Sequence, residues 1–274
     1  MRIRLNHVLL LLLGTMLVVA CHSGRESKVQ SMRENHLQHY REKLELQRDT
    51  LRMADSLLTL IVPQIQQMLD EDGFEHHQGE FDDLGIYFIK GTDVASRVGT
   101  SYLHATVNEY GITRLISEYR GGSYINHTQI RLEAEDGTSC TTLEVPVEEE
   151  GGANYHFTNQ GLCHESVSFT NGTIASANRP GAMTDGTDGT ALAFVDLHAG
   201  DRQMKAYLLY GEGKKYRVNL TSADIKALSK TYQLGQLLSE QRRLSQQSKA
   251  ASEQILFLET KISIKESEYA SDSK

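Results

Sequence analysis

Three side chains of this 274-residue sequence carry thiols, Cys21, Cys140 and Cys163. A thiol can bind a soft metal, attack a carbonyl, accept an acyl chain or close a disulfide. Cys163 is followed by His164, and His156 lies seven residues upstream. Imidazole and thiolate are zinc ligands, but this spacing matches no structural zinc pattern and no fourth ligand stands nearby. Cys140 and Cys163 are also a candidate disulfide, closing a loop of about 23 residues, and pairing is the habit of cysteines outside the cytoplasm. Two unpaired core thiols are the alternative, and both readings stay open. His76 and His77, flanked by Glu75 and Glu80, lack the HExxH spacing of a zinc peptidase helix and read as an exposed loop. The stretch Asp185–Thr190 (DGTDGT) has the composition of a calcium loop without its ligand spacing, and reads as a turn-rich loop. Glu148, Glu149 and Glu150 read as a solvated, self-repelling loop. Gly211–Lys215 (GEGKK) lacks the spacing of a phosphate loop and reads as a hairpin turn. A GxSxG elbow and a dinucleotide fingerprint are both absent. A hydrolase would need Ser, His and Asp brought together from distant positions. The expectation is no catalytic residue, no metal and no cofactor.

Cys21 is different, because of what precedes it. Arg2 and Arg4 open the chain, and Val8–Ala20 is a mostly apolar run of thirteen residues. That is shorter than the roughly 18 to 20 residues needed to cross a bilayer and fits the core of a secretory signal. Val18-Val19-Ala20-Cys21 resembles the lipobox of bacterial lipoproteins. The resemblance implies cleavage of residues 1–20 and acylation of the Cys21 thiol, with residues 21–24 as a short linker.

Loss of residues 1–20 leaves 26 basic and 36 acidic side chains, a formal charge of −10. A net acidic chain without a basic tract is a poor nucleic-acid binder. Most of that charge lies in residues 73–220, which hold 11 basic and 20 acidic residues.

Glycine divides the chain into the elements that must position these groups. Of 22 glycines, 19 fall between Gly73 and Gly213, and the flanks 25–72 and 221–269 contain only Gly235. Glycine costs about 1 kcal/mol against alanine inside a helix, so the flanks read as helices and the middle as strands and turns. In the first flank Leu37, Tyr40, Leu44, Gln47, Leu51, Ala54, Leu58, Ile61, Ile65 and Met68 alternate by three and four. That is the seam of a coiled coil. Pro63 predicts a kink near 59–63, and Gly73 predicts the stop. The second flank opens on Thr221 with Asp224 three residues later, a helix-start signal. Leu234, Leu237, Gln241, Leu244, Ser248, Ala251, Ile255, Leu258 and Ile262 continue it as a second seam. Residues 270–274 read as a disordered tail. The equal lengths predict an antiparallel coiled-coil stalk within one chain, with a parallel homo-oligomer of the first arm as the competing arrangement.

Between the arms, alternation predicts a half-buried strand at Gln129–Ala134, with Ile130 and Leu132 on one face. Further strands are predicted at Ile86–Lys90, Tyr102–Val107, Thr113–Tyr119, Ser139–Val145, Glu165–Phe169, Met204–Tyr210 and Tyr216–Leu220, with a short helix over Thr190–His198. The fold class is α+β: a mostly antiparallel β head (73–220) with a minor helix, between two long helices (25–72 and 221–269).

The order lipobox, heptad arm, β head, heptad arm resembles uncharacterised lipoproteins of the Bacteroidales type. Tyr119–Ile125 (YRGGSYI) with Asp136-Gly137, and Lys205–Gly211 through Leu220–Lys226, are similar to the two ends of a small bacterial β module. The resemblance supplies no activity; the reading adopted is a non-enzymatic envelope lipoprotein held by acylated Cys21, whose head meets a protein partner. His22, in place of Asp after the lipidated cysteine, implies the outer membrane. The periplasmic face is favoured over the cell surface. A head that binds glycan or peptidoglycan, using some of the nine Tyr in 73–220, is a first alternative. An envelope hydrolase is a second.

Overall fold

The structure is a computed structural model. It describes residues 3–78, 84–92, 97, 99–145, 154–159, 161–170, 174–178, 190–201 and 203–272. The chain is α+β and divides into two compact units, residues 1–58 with 244–274 and residues 59–243. Helix α1 (Ile3–Glu71) and helix α3 (Ser222–Ser271) each contribute to both.

In the first unit, the seam positions read from the sequence are the inward ones. Leu44, Ala54, Leu244, Ala251 and Leu258 are buried, and Leu37, Tyr40, Gln47, Leu51, Leu58, Ser248, Ile255 and Ile262 are half-buried. Polar pairs join the two helices. Arg33 donates to Asp272 and Arg41 to Glu266, both at 2.7 Å, Arg48 to Glu259 at 2.8 Å, and Ser248 to Asp55 at 2.8 Å. As the residue number rises along α1 it falls along α3. The exposed pairs contribute little one by one, about 0.2–1 kcal/mol each, and the apolar seam supplies the driving force. α3 extends to Ser271, and Asp272 is held by Arg33, so the chain is ordered past position 269, where the sequence suggested a loose tail.

The second unit holds eleven strands among the described residues. They are β1 (Phe74–His77), β2 (Ile86–Ile89), β3 (Tyr102–Asn108), β4 (Thr113–Gly121), β5 (Gln129–Glu133), β6 (Ser139–Thr142), β7 (Asn154–Asn159), β8 (Leu162–Thr170), β9 (Ile174–Asn178), β10 (Lys205–Tyr210) and β11 (Lys214–Asn219). Every pairing is antiparallel. One sheet runs β1-β2-β3-β4-β8-β7 and the other β11-β10-β5-β6-β9. Period-two alternation sends Leu103, Ala105, Leu115, Val167 and Phe169 from the first sheet into a core shared with Ile130, Leu132, Cys140, Ala206, Leu208 and Val218 of the second. Helix α2 (Ala191–Leu197), capped by the Thr190 hydroxyl accepting from the Ala193 amide at 3.0 Å, adds Leu192 and Val195.

Helix ends anchor this unit. α1 remains helical through Pro63 and stops at Gly73, whose φ of +75° suits a residue without Cβ. Its last turns place Ile61, Ile65 and Met68 against Leu234 and Leu238 of α3, with Val107 and Tyr87. This contact, rather than helix propensity, carries the helix past its proline. α3 starts with a reciprocal cap: the Thr221 amide donates to Asp224 at 2.8 Å, and the Asp224 amide to the Thr221 hydroxyl at 3.2 Å. Arg97 also donates to Asp224.

Candidate functional site

β4 passes through the middle of the first sheet, and its alternation exposes two polar clusters to opposite sides. Leu115 and Tyr119 belong to the core, so Ser117 between them faces the core too. Beyond the strand, the segment 122–128 crosses to the other sheet and passes through Asn126 at a φ of +53°. It brings His127 under the sheet, with Nδ1 at 2.8 Å from Glu165 Oε2 and Nε2 at 2.7 Å from Ser117 Oγ. An ionised carboxylate only accepts, so Nδ1 carries the hydrogen. Ser117 Oγ also lies 3.4 Å from the Val167 carbonyl, so its one proton has two acceptors in reach, that carbonyl and an unprotonated Nε2. This is the nucleophile–base–orienter relation of a serine hydrolase.

Two observations give it another role. Ser117, His127 and Glu165 are each 0 % exposed, so a substrate cannot reach the hydroxyl in this fold. Glu165 also accepts backbone amides, Ile125 and Asn126 (2.9 Å) on Oε1 and His127 (3.3 Å) on Oε2. The carboxylate pins a strained crossing segment. Burial pushes the Glu165 carboxyl up, but the hydrogen bonds from His127 and the three amides outweigh it, and its pKa is lowered.

On the opposite side of β4, Glu118 is 1 % exposed and binds His104 Nε2 (3.3 Å), His164 Nε2 and the Ser166 hydroxyl (2.9 Å). Burial raises the Glu118 pKa, the His104 hydrogen bond and charge with the Ser166 and His164 bonds lower it, and the net direction is down. The facing nitrogens of both imidazoles are spent on the carboxylate. Among the described residues no group of three or more His, Cys, Asp or Glu is arranged to hold a metal.

The outer face of the second sheet is the open one. Ala206, Leu208, Ile130 and Val218 point into the core, so their neighbours point out. The register makes three rows: Asn219–Lys205–Glu133, Arg217–Tyr207–Arg131 and Lys215–Leu209–Gln129. Strands lie about 4.8 Å apart, which sets the Arg217 and Arg131 backbones about 10 Å apart on either side of Tyr207. Lys215 Nζ sits 4.6 Å from the Tyr207 ring centre, a cation–π contact. Four cations thus share a face with one acid, Glu133, which bonds Arg131 at 3.0 Å, in a segment whose overall charge is −9. At the end of the β10–β11 hairpin, Gln203, Lys205, Arg217 and Asn219 line a polar cavity of about 280 Å³. Cation and amide donors converging on one small hollow suit an acidic group carrying hydroxyls.

The residues singled out in the sequence fall elsewhere or apart. Cys21 lies in α1, and its side chain is outside the described residues. Cys140 and Cys163 are free thiols on strands of different sheets, Cys140 opposite Leu132 and Ala177, Cys163 opposite Gly121 and Thr158. Burial pushes the Cys140 thiol up to about 12, so it is inert. His164 joins Glu118 rather than Cys163, and the His156 side chain is outside the described residues. His76 and His77 form strand β1 rather than a loop, with His76 Nε2 at 3.1 Å from Glu109. Asp185, Asp188 and Glu148–Glu150 lie outside the described residues. Gly211 and Gly213, at φ of +51° and +74°, make the β10–β11 turn expected of them. Compared with known proteins, the chain matches no family model, no curated protein and no solved structure.

Proposed function

We propose that the chain is a lipid-anchored bacterial envelope protein acting as a non-catalytic interaction module, its β head carried by two paired helical arms. The carrying observation is the pairing of α1 with α3: two 3-4 seams turned inward, with polar pairs running from Arg33–Asp272 to Asp55–Ser248. An antiparallel coiled coil explains the equal arms and the direction of those pairs. The Val18–Cys21 lipobox supplies the anchor, and the outer membrane, periplasmic face, is the location this reading favours. The one serine–imidazole–carboxylate chain among the described residues is wholly buried, which supports a scaffold over a hydrolase.

The test has two arms. Wild type takes up a fatty-acid label and fractionates with membranes, while Cys21→Ser does neither. An Asp55→Cys/Ser248→Cys chain forms its disulfide within a monomer. Label retained on Cys21→Ser, or a 55–248 link found only between chains, overturns the proposal.

A second reading concerns the partner. The Arg217–Tyr207–Arg131 row and the cavity beside it favour an acidic glycan as what the head holds. Retention on immobilised acidic polysaccharide that is lost in Lys205→Glu/Arg217→Glu, with no retention on a neutral one, is the expected result. Equal retention of the two proteins removes this reading.

A further inference from the structure

The arms carry a second apolar stripe that their own pairing leaves in water. Assign heptad position a to Leu37, Leu44, Leu51 and Leu58, and d to Tyr40, Gln47 and Ala54. Among the described residues of α1 up to Leu58, the exposed large hydrophobics are Val29, Met32, Leu46, Met53 and Leu57. All five fall on two letters: Met32, Leu46 and Met53 on c, Val29 and Leu57 on g. Their exposure is substantial, 72 % for Met32 and 61 % for Leu46 and for Met53. Positions b, e and f over residues 34–56 hold only polar residues, among them Glu45, Arg52, Arg41, Arg48, Glu42 and Asp49. Single exposed hydrophobics need no explanation, but a heptad stripe of them does.

The same letters apply to α3, with Leu244, Ala251 and Leu258 at d. Its exposed large hydrophobics beyond Leu244 are Leu256 (67 %) at b, and Phe257 (52 %) and Ile264 (48 %), both at c. Two helices paired antiparallel meet e against e on one flank and g against g on the other. The salt bridges mark the e flank, because Arg41, Arg48, Glu259 and Glu266 are all e. The c residues of both helices lie toward the other flank. The e flank thus carries the ion pairs, with Leu256 beside them at b, and the other flank presents Leu46, Met53, Leu57, Phe257 and Ile264.

We infer that this flank is the docking surface for a second copy of the chain, two helical pairs packing into a four-helix bundle. The inference rests on the pairing of α1 with α3, and its choice of occupant on the Cys21 anchor, both proposed above. The c/g stripe is centred about 100° from the a/d seam, the angle that lets one helix pack against two neighbours at once. From Val29 to Leu57 the stripe runs about 42 Å at 1.5 Å per residue, and a face two helices wide adds about 20 Å. The resulting ~800 Å² per copy is what one side of a stable interface requires. A two-fold axis along the bundle sets α1 of one copy beside α3 of the other at the same height. Since Arg48 is level with Glu259 and Asp55 with Ser248, Phe257 of the partner subunit then falls between Leu46 and Met53, about 5 Å along the axis from each. Copies anchored through the same residue of the same membrane meet at equal height, which makes a second copy the natural occupant.

The full chain in detergent tests this. Sedimentation shows a dimer. A benzophenone side chain in place of Met53 or Leu46 gives chain-to-chain crosslinks that map to residues 250–264, and in place of Arg52, at position b, it does not. Leu46→Glu/Met53→Glu weakens the dimer by about 100-fold or more, since two buried side chains are lost. That variant still closes the Asp55→Cys/Ser248→Cys disulfide within the chain. A wild type that stays monomeric at every concentration, equal crosslinking from Arg52, or Met53 crosslinks confined to another protein or to lipid overturns the inference. Failure of the 55–248 disulfide in an otherwise dimeric chain overturns the helical pairing instead, so the two are read separately.

Discussion

Replacing Glu165 by Gln should destabilise the head while changing few atoms. Each carboxylate oxygen serves two N–H donors: Ile125 and Asn126 on Oε1, the His127 amide and Nδ1 on Oε2. A side-chain amide can satisfy only one of these pairs. Its NH₂ must face the other, setting a donor against at least one backbone amide (His127 on one side, Ile125 and Asn126 on the other) at a position that is 0 % exposed. A hydrogen bond to a charged group contributes about 1.5–3 kcal/mol, and breaking a buried charged network costs about 3–5 kcal/mol. The expected loss is therefore about 4 kcal/mol. For a unit of this size 1 kcal/mol moves the midpoint by about 2–4 °C, so the head should melt roughly 10 °C earlier. Near-ultraviolet dichroism reports on the head, because the chain has no Trp and nine of its 12 Tyr lie in residues 73–220. The pH dependence gives an independent check. A carboxyl whose folded pKa is lowered stabilises fully above its unfolded value, about 4.3, and loses that contribution as pH falls through the folded pKa. Glu165 and Glu118 both have lowered values. Wild type should lose stability steeply below about pH 4, and Glu165→Gln less steeply. A Glu165→Gln head within 1 kcal/mol of wild type, or one with an unchanged acid limb, would refute the role given to this carboxylate.

Further outcomes follow from other sites. A fluorophosphonate probe should leave the native chain unlabelled, because the Ser117 hydroxyl is sealed in the core; labelling abolished by Ser117→Ala would make the chain an enzyme. Under native conditions Cys163 should react with a thiol reagent while Cys140, with its pKa near 12, reacts only after unfolding. A count below two thiols in the unfolded, unreduced 73–220 region would contradict the free cysteines. Gly235→Ala should lower stability by about 1–3 kcal/mol although alanine favours a helix by about 1 kcal/mol. Its Cβ would come within 2.5 Å of Thr113 Cγ2 and 3.3 Å of the Gly111 carbonyl, so a rise in melting temperature would show that α3 does not pack there as described.

The regular parts of this structure were legible because their signals are local. Seam positions such as Leu44, Ala54 and Ala251 announce burial through spacing alone, and Ile130 and Leu132 do the same at period two. Three strands escaped for the converse reason. β1 (FEHH) and β7 (NYHFTN) are too polar to show a face, and β9 (IASAN) carries a single large apolar side chain. The polar clusters were hidden by distance, since Ser117, His127 and Glu165 are brought together by pairings the sequence does not state. A signal was nonetheless present. Ser117 lies at an inward position between Leu115 and Tyr119, and Glu165 leads the inward series Glu165, Val167, Phe169. A carboxylate at such a position must have partners waiting for it. The same logic explains the lone glycine of the second arm, where α3 passes close to Thr113 and a side chain has no room.

The polar pairs between α1 and α3 join residues 193 to 239 positions apart. Closing a loop of about 200 residues in an unfolded chain costs about 5 kcal/mol before any contact is gained. The second unit removes most of that cost, because its own packing of Ile61 and Ile65 against Leu234 and Leu238 already sets its first and last turns side by side. Pairing of the arms is therefore cheapest once the head has formed, and the loop-closure cost favours folding from the middle of the chain to its ends; in that order a slow head would leave two long apolar stripes unpaired for as long as it takes.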